Sequence, residues 1–275
     1  MPDPRPLGVF DSGVGGLTVV RAIIDQLPGE SLVYYGDTAR APYGDRGLHE
    51  IRAFAREIAT ELLRRDVKML VVACNAIEVA AIEDLTAEAG VPVVGVIEAG
   101  TRAALRATRN GRVGVIGTRA TIESGAYERA VARERDGVEL FSQACPAFVP
   151  YVERGDTTSE DLLDIAHGYL APLVAASIDT LVLGCTHYPL ISGLLQVVMG
   201  PDVLLISSAE ETAKDVYASL VREDRLRDDD VPPAHEFLCS GDPGSFLALG
   251  GRFLGPEVVE VRAARVDASP VPERP

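Results

Sequence analysis

The sequence predicts an α/β protein. It is expected to have two similar three-layer α/β domains with mainly parallel sheets, related by a pseudo-twofold axis, and a ligand site in the cleft between them. Three observations carry this. Short apolar runs alternate with longer stretches of helical period, the pattern of parallel strands joined by right-handed crossovers. Two strand-and-loop motifs recur in the same order further along the chain. The length, 275 residues, fits two modest domains or one large one at roughly 100–200 residues per domain.

Taken in order, strand-like runs fall at 7–10, 32–35, 69–73, 91–97, 112–117, 138–142, 180–184, 203–206, 236–239 and 258–261. Several are apolar at consecutive positions, as strands covered on both faces require. Between them, Leu17, Val20, Ile23, Ile24 and Leu27 fit one helix face, and Ile51, Phe54, Ala55, Ile58 and Leu62 fit another. Ser208-Ala209-Glu210-Glu211 reads as a capping box opening a helix to about Val221. The Pro-rich ends, 1–6 and 268–275, read as loose tails, and the acidic run 228–230 as a solvated turn.

The internal repeat is the most informative pattern. Val67-Lys68-Met69-Leu70-Val71-Val72-Ala73-Cys74-Asn75 aligns with Ile178-Asp179-Thr180-Leu181-Val182-Leu183-Gly184-Cys185-Thr186, an offset of 111 residues. Leu7-Gly8-Val9-Phe10-Asp11-Ser12 aligns with Val113-Gly114-Val115-Ile116-Gly117-Thr118, an offset of 106. Residues just past the carboxyl ends of strands line the ligand crevice in open α/β sheets. Facing halves would therefore set Cys74 and Cys185 on opposite walls of one cleft.

Composition narrows the function. Apolar residues make up 47% and charged residues 24%, which excludes disorder along the whole chain. No run approaches the ~18 consecutive apolar residues of a membrane helix. The opening Met1-Pro2-Asp3-Pro4-Arg5-Pro6 lacks a secretory pattern, so a cytoplasmic protein is expected. A net charge of −15 repels phosphate backbones and anionic lipid, so neither nucleic acid nor membrane is an expected partner. The four cysteines, Cys74, Cys145, Cys185 and Cys239, form no C-x-x-C pair. They read as free thiols, with no metal site.

Two opposed thiols suit one kind of chemistry. A thiol with a pKa near ~8.5 is a base when ionised and an acid when not. A pair of them flanking a planar carbanion can take a proton from one face and deliver one to the other, which inversion at carbon requires. Each cysteine ends a strand before an expected helix, whose N–H groups would lower the thiol pKa and bind a carboxylate. The plainer reading, two buried small residues, leaves the duplication unexplained.

At these residues the sequence resembles a known family, bacterial glutamate racemase, within the aspartate/glutamate racemase superfamily. Three stretches carry the likeness: Gly8-Val9-Phe10-Asp11-Ser12-Gly13-Val14-Gly15-Gly16-Leu17, Tyr35-Gly36-Asp37-Thr38-Ala39-Arg40-Ala41-Pro42-Tyr43-Gly44, and Leu183-Gly184-Cys185-Thr186-His187-Tyr188-Pro189-Leu190. Val152-Glu153-Arg154-Gly155 also matches. The resemblance implies cofactor-independent interconversion of L- and D-glutamate, supplying D-glutamate for peptidoglycan. It implies a first domain of 1–97 completed by 208–275, a second of 98–207, and a homodimer. By motif, Cys74 and Cys185 would be the paired acid/base residues, with Asp11 assisting Cys74 and Glu153 and His187 assisting Cys185. Substrate contacts would fall to Asp11, Ser12, Tyr43, Gly44, Asn75, Ala76, Thr186 and His187, with Thr118 and Thr121 as weaker candidates.

One departure stands out. After Cys74-Asn75 the family usually places Thr or Ser and then small residues, whereas this chain has Ala76-Ile77-Glu78. Loss of the hydroxyl would weaken a carboxylate contact by roughly 1 kcal/mol. Glu78 either sits in a first helical turn, where the dipole favours it, or faces the cleft and repels thiolate and substrate.

Other motifs carry less. Thr18 stands where a G-x-G-x-x-G fingerprint from Gly13 needs its third glycine, and Ser12 is not in a G-x-S-x-G elbow. Asp11 could instead cap the following helix, and His187 could be purely structural. His49 and His167 read as surface or packing residues, and Cys145 and Cys239 as core thiols. The alternatives are a racemase for aspartate or a related acid, or a non-catalytic glutamate-binding protein.

Overall fold

A computed structural model describes residues 3–264. The strands, in chain order, are β1 (Leu7–Asp11), β2 (Leu32–Gly36), β3 (Met69–Val72), β4 (Val93–Val94), β5 (Arg112–Gly117), β6 (Glu139–Ala144), β7 (Thr180–Gly184), β8 (Leu204–Ser207), β9 (His235–Cys239) and β10 (Val261–Ala263). They form a six-stranded sheet, β10-β9-β2-β1-β3-β4, and a four-stranded sheet, β6-β5-β7-β8. Every pairing is parallel.

The repeat read from sequence reappears as topology. The order β2-β1-β3-β4 in one sheet matches β6-β5-β7-β8 in the other, and the register agrees residue by residue. Gly8 lies opposite Leu70, and its repeat equivalent Gly114 lies opposite Leu181. Each glycine makes room for the same pair of neighbours. A methyl on Gly8 would stand 3.1 Å from Val67 and 3.2 Å from Leu70, and one on Gly114 would stand 2.4 Å from Ile178 and 3.0 Å from Leu181.

The helices follow their apolar faces. Leu17–Gln26 buries Leu17, Val20 and Ile23, and Leu48–Arg64 buries Ile51, Ala55, Ile58 and Leu62, each large aliphatic side chain contributing about 1.5–3 kcal/mol. Ile24 and Phe54, expected on those faces, are only partly buried. Phe54 instead lies against Tyr43, ring centroids 5.5 Å apart.

Several expectations need correction. The run 91–97 is strand only at β4, because the chain leaves the sheet there and Ile97 opens the helix Ile97–Ala107. The last strand starts at Val261 rather than 258, since Pro256 falls in a 3-10 turn, Gly255–Glu257. Ser208 makes no capping box. Its backbone is already helical (φ −73°, ψ −16°) and its side chain makes no cap bond, whereas an N-cap needs an extended backbone. The helix nonetheless runs Ala209–Arg222. Residues 3–6 are not loose. Lys68 Nζ donates to the Asp3 carbonyl at 2.7 Å, and Lys68 N donates to the Pro6 carbonyl at 2.9 Å. The tail at 268–275 lies outside the described residues, and Asp228, Asp229 and Asp230 are exposed as expected.

Candidate active site

The site is built at the carboxyl ends of two adjacent strands in each sheet, β1 and β3 in one and β5 and β7 in the other. β1 delivers Asp11 and Ser12, β3 delivers Cys74 and Asn75, β5 delivers Thr118 and Thr121, and β7 delivers Cys185, Thr186 and His187. All of these line one cavity of about 60 Å³, together with Tyr43, Gly44, Ala76 and Glu153. Every residue picked from the sequence is therefore brought to the same place. The volume is far below the roughly 300–1,000 Å³ of pockets for drug-sized ligands, so the fitting occupant is small.

On one wall Cys74 is the N-cap residue of the helix Asn75–Glu88, in extended conformation. Its Sγ lies 3.7 Å from the Ser12 hydroxyl, which donates to Asp11 Oδ1 at 3.4 Å. The other Asp11 oxygen accepts the Gly16 N–H at 2.8 Å, at the start of the helix Leu17–Gln26. One Asp11 oxygen is thus bonded to the residue that precedes the helix, and the other to Ser12 in the cavity lining. The thiol pKa differs from expectation. Burial first, then the Asp11 carboxylate, push Cys74 well above the ordinary thiol value, although the N–H groups of Ile77 and Ser12 and the Ser12 hydroxyl pull it down. The helix terminus is present but desolvation outweighs it.

Around Cys185 the groups form a chain. Glu153, the last residue of the helix Phe148–Glu153, places Oε1 3.3 Å from His187 Nε2, and His187 Nδ1 stands 3.8 Å from Cys185 Sγ. Burial pulls the His187 pKa down. Its hydrogen bonds to Cys185 and Glu153 and the nearby Cys185 and Asp11 charges outweigh that and raise it to about 10. A cationic imidazole is thereby held beside the sulfur. No α-helix begins at Cys185. The chain makes the 3-10 turn Tyr188–Ile191 first, with Pro189 inside it, and the α-helix starts at Ser192.

The polar lining is set from behind. The Tyr43 hydroxyl donates to buried Asp37, which also accepts from Arg40 Nε and Ser240 Oγ, each at 2.6 Å. The Tyr43 hydroxyl proton is thus committed to Asp37. Asn75 accepts from Tyr127 through Oδ1 at 2.8 Å, and its buried Nδ2 has no partner among the described residues. Thr118 and Thr121 hydroxyls lie 3.2 Å apart. Glu78 does not line the cavity. It is buried in the first turn of its helix, accepting from the N–H groups of Val96 and Ile97.

Sequence reasoning missed Pro42, Asp45, Pro146, Val149, Pro150 and Gly184, which complete the lining. The segment after β6 carries three of them, Pro146 before the helix Phe148–Glu153 and Val149 and Pro150 within it. Its position at the carboxyl end of a strand was a usable signal, but no polar motif marks it. His49 and His167 are exposed, and Cys145 and Cys239 are buried. Among the described residues no His/Cys/Asp/Glu group could hold a metal ion, and no helix is long and apolar enough to cross a membrane.

Comparison with known proteins agrees with this architecture. The profile of the Asp/Glu/Hydantoin racemase family matches residues 7–216. A glutamate racemase of Parafrankia sp. is 58% identical over 260 residues, covering 94% of each chain. The structure of glutamate racemase from Thermus thermophilus in complex with β-chloro-D-alanine superposes with a TM-score of 0.87 at 44% identity, covering 98% of this chain and 100% of that one. That of Francisella tularensis, in complex with D-glutamate, gives 0.91 at 34% identity, covering 97% and 100%. With its two parallel sheets, its paired cysteines at equivalent strand ends and these relatives, the chain belongs to the Asp/Glu/hydantoin racemase family.

Proposed function

We propose that this protein interconverts L- and D-glutamate by a two-cysteine acid/base mechanism, needing no group beyond its own side chains, and so supplies D-glutamate for peptidoglycan synthesis in the cytoplasm. One observation carries the reading: Cys74 and Cys185 end equivalent strands of the two sheets and line the same small cavity. The halves, 1–97 with 208–275 and 98–207, are read as facing one another about a pseudo-twofold axis.

In one direction Cys185, as thiolate, takes the α-proton, and the electron pair of the broken C–H bond passes into the α-carboxylate. Cys74, as thiol, then protonates the opposite face, leaving Cys185 protonated and Cys74 ionised. The reverse direction exchanges the roles. His187, held by Glu153, balances charge on Cys185, while Asp11 and Ser12 govern the proton on Cys74. Donors already in place, Asn75 Nδ2 and the hydroxyls of Ser12, Thr118, Thr121 and Thr186, hold the carboxylates without reorganisation as charge develops. These local donors are how a chain of net charge −15 holds a substrate with two carboxylates.

Circular dichroism of L- and D-glutamate, each incubated with purified protein, tests the reading. Signal should decay to zero from both enantiomers, and in D₂O the newly formed product should carry deuterium at Cα. Cys74→Ser and Cys185→Ser should each lower kcat by at least about 10³-fold with the fold intact, in line with loss of a positioned acid or base. Near-full activity of either variant defeats the two-base assignment. Turnover of aspartate but not glutamate would make it an aspartate racemase, and tight glutamate binding without turnover a binding protein.

A further inference from the structure

Tyr127 lies on the helix Ala126–Glu134, outside the cavity lining, and is 2% exposed. It nevertheless touches both walls. Its hydroxyl donates to Asn75 Oδ1 at 2.8 Å, across from the four-stranded half to the residue beside Cys74. Its ring edge lies against Gly184, the residue before Cys185, where a methyl would come within 3.1 Å of Cε2. The Asn75 side chain is 3% exposed, and its Nδ2 has no partner among the described residues.

An amide side chain can present either its oxygen or its nitrogen to a ligand, since the two orientations have nearly the same shape. A single donor fixed at the oxygen breaks that symmetry and turns the NH₂ the other way. Asn75 lines the cavity, and its unpartnered NH₂ is the end of the amide left free for a ligand. Burial first, and the neighbouring Glu78 and Cys185 charges, raise the phenol pKa, so the hydroxyl keeps its proton and remains a donor.

We propose that Tyr127 is a positioning residue that aims the Asn75 amide at a substrate carboxylate and braces the backbone before Cys185, coupling the two walls of the site. The inference rests on the racemase reading of the cavity. It assigns a role in substrate binding to a residue with no group in the cavity.

The test is a double-mutant cycle on the full chain, with racemisation kinetics for both enantiomers. Tyr127→Phe keeps the ring against Gly184 and removes only the hydroxyl. KM should rise about fivefold for L- and D-glutamate alike, as expected for one lost hydrogen bond, with kcat changed less than KM. In an Asn75→Ala background the same substitution should leave KM unchanged. An unchanged KM in Tyr127→Phe, or an equal rise in both backgrounds, overturns the proposal. Should Tyr127→Phe fail to fold, Asn75→Asp carries the test. It still accepts from Tyr127 but presents oxygen to an anion, so KM should rise at least tenfold, and a KM equal to that of the unsubstituted protein overturns the proposal. Absence of any turnover in the unsubstituted protein would defeat the racemase reading instead. D-glutamate titration calorimetry on the same four proteins then reads the Tyr127–Asn75 coupling directly.

Discussion

At the scale of single residues, Ala76 is the departure that the racemase-like motif after Cys74 singles out. It lies in the first turn of the helix Asn75–Glu88, 4% exposed, and lines the cavity with a methyl group where a hydroxyl would donate to a carboxylate. The neighbouring oddity is unrelated to binding, since Glu78 turns away from the cavity. Ala76→Thr should therefore lower KM for glutamate by about fivefold, the worth of roughly one hydrogen bond of 1 kcal/mol, with little change in kcat. A KM that stays level or rises would show that the missing hydroxyl is not what limits affinity. The candidate residues that line the cavity were legible because most are polar or sulfur-bearing groups in motifs of up to ten residues near strand ends. Tyr127 was not, because nothing local distinguishes a buried tyrosine that bonds across the molecule from one that merely fills the core.

At the scale of elements, the strands were legible wherever apolar runs are buried on both faces, as in β1, β3 and β7. They were misjudged where tertiary contacts decide. Val91 to Ile97 reads as a strand by composition, but the chain turns out of the sheet after β4, where Glu78 accepts from the N–H groups of Val96 and Ile97 at the start of the next helix, Ile97–Ala107. Gly95 leaves room for this, since a methyl there would lie 2.4 Å from the Glu78 carboxyl carbon. No periodicity signals a carboxylate arriving from another helix. Its cost has a pH signature. Burial raises the Glu78 pKa from 4.5 to about 7, Glu98 adds a smaller upward push, and the two backbone donors oppose both. A carboxyl raised on folding favours the native state fully below its unfolded pKa. That contribution is lost as pH climbs through the folded value. Glu78→Gln is neutral throughout. Its melting temperature relative to the unsubstituted protein should thus rise between pH 5 and pH 8, by a free-energy difference on the order of 3 kcal/mol. A difference that is flat with pH would mean that Glu78 ionises as freely in the folded chain as in the unfolded one.

Across the whole molecule, the cavity and a buried charge pair occupy opposite ends of the six-stranded sheet. Cys74 follows β3 at its carboxyl end, and Lys68 precedes β3 at the other. Lys68 is fully buried, with Nζ 2.6 Å from Glu30 Oε2 and donating to the carbonyls of Asp3 and Arg225 at 2.7 and 2.9 Å. Glu30 in turn accepts the Arg227 N–H at 2.9 Å. One buried pair therefore ties together the chain start, the base of the sheet and the segment that leads back to β9. Sequence reading passed over Lys68 because a lysine before a strand is ordinarily solvated. Only the return of the chain from residue 225 buries it. Such a pair adds little net stability relative to apolar partners, yet breaking it on one side leaves an uncompensated charge, at a cost of about 3–5 kcal/mol. Lys68→Met should accordingly lower the melting temperature by on the order of 10 °C. Adding Glu30→Gln should recover a clear part of that loss, because the orphaned charge is then gone. At 25 °C both proteins should racemise with unsubstituted kcat and KM, since the far end of β3 touches no group of the cavity. Calorimetric melting of the three proteins decides it. A single variant that melts with the unsubstituted protein, or a double variant no better than the single one, would mean that Lys68 and Glu30 are not joined across this end of the fold.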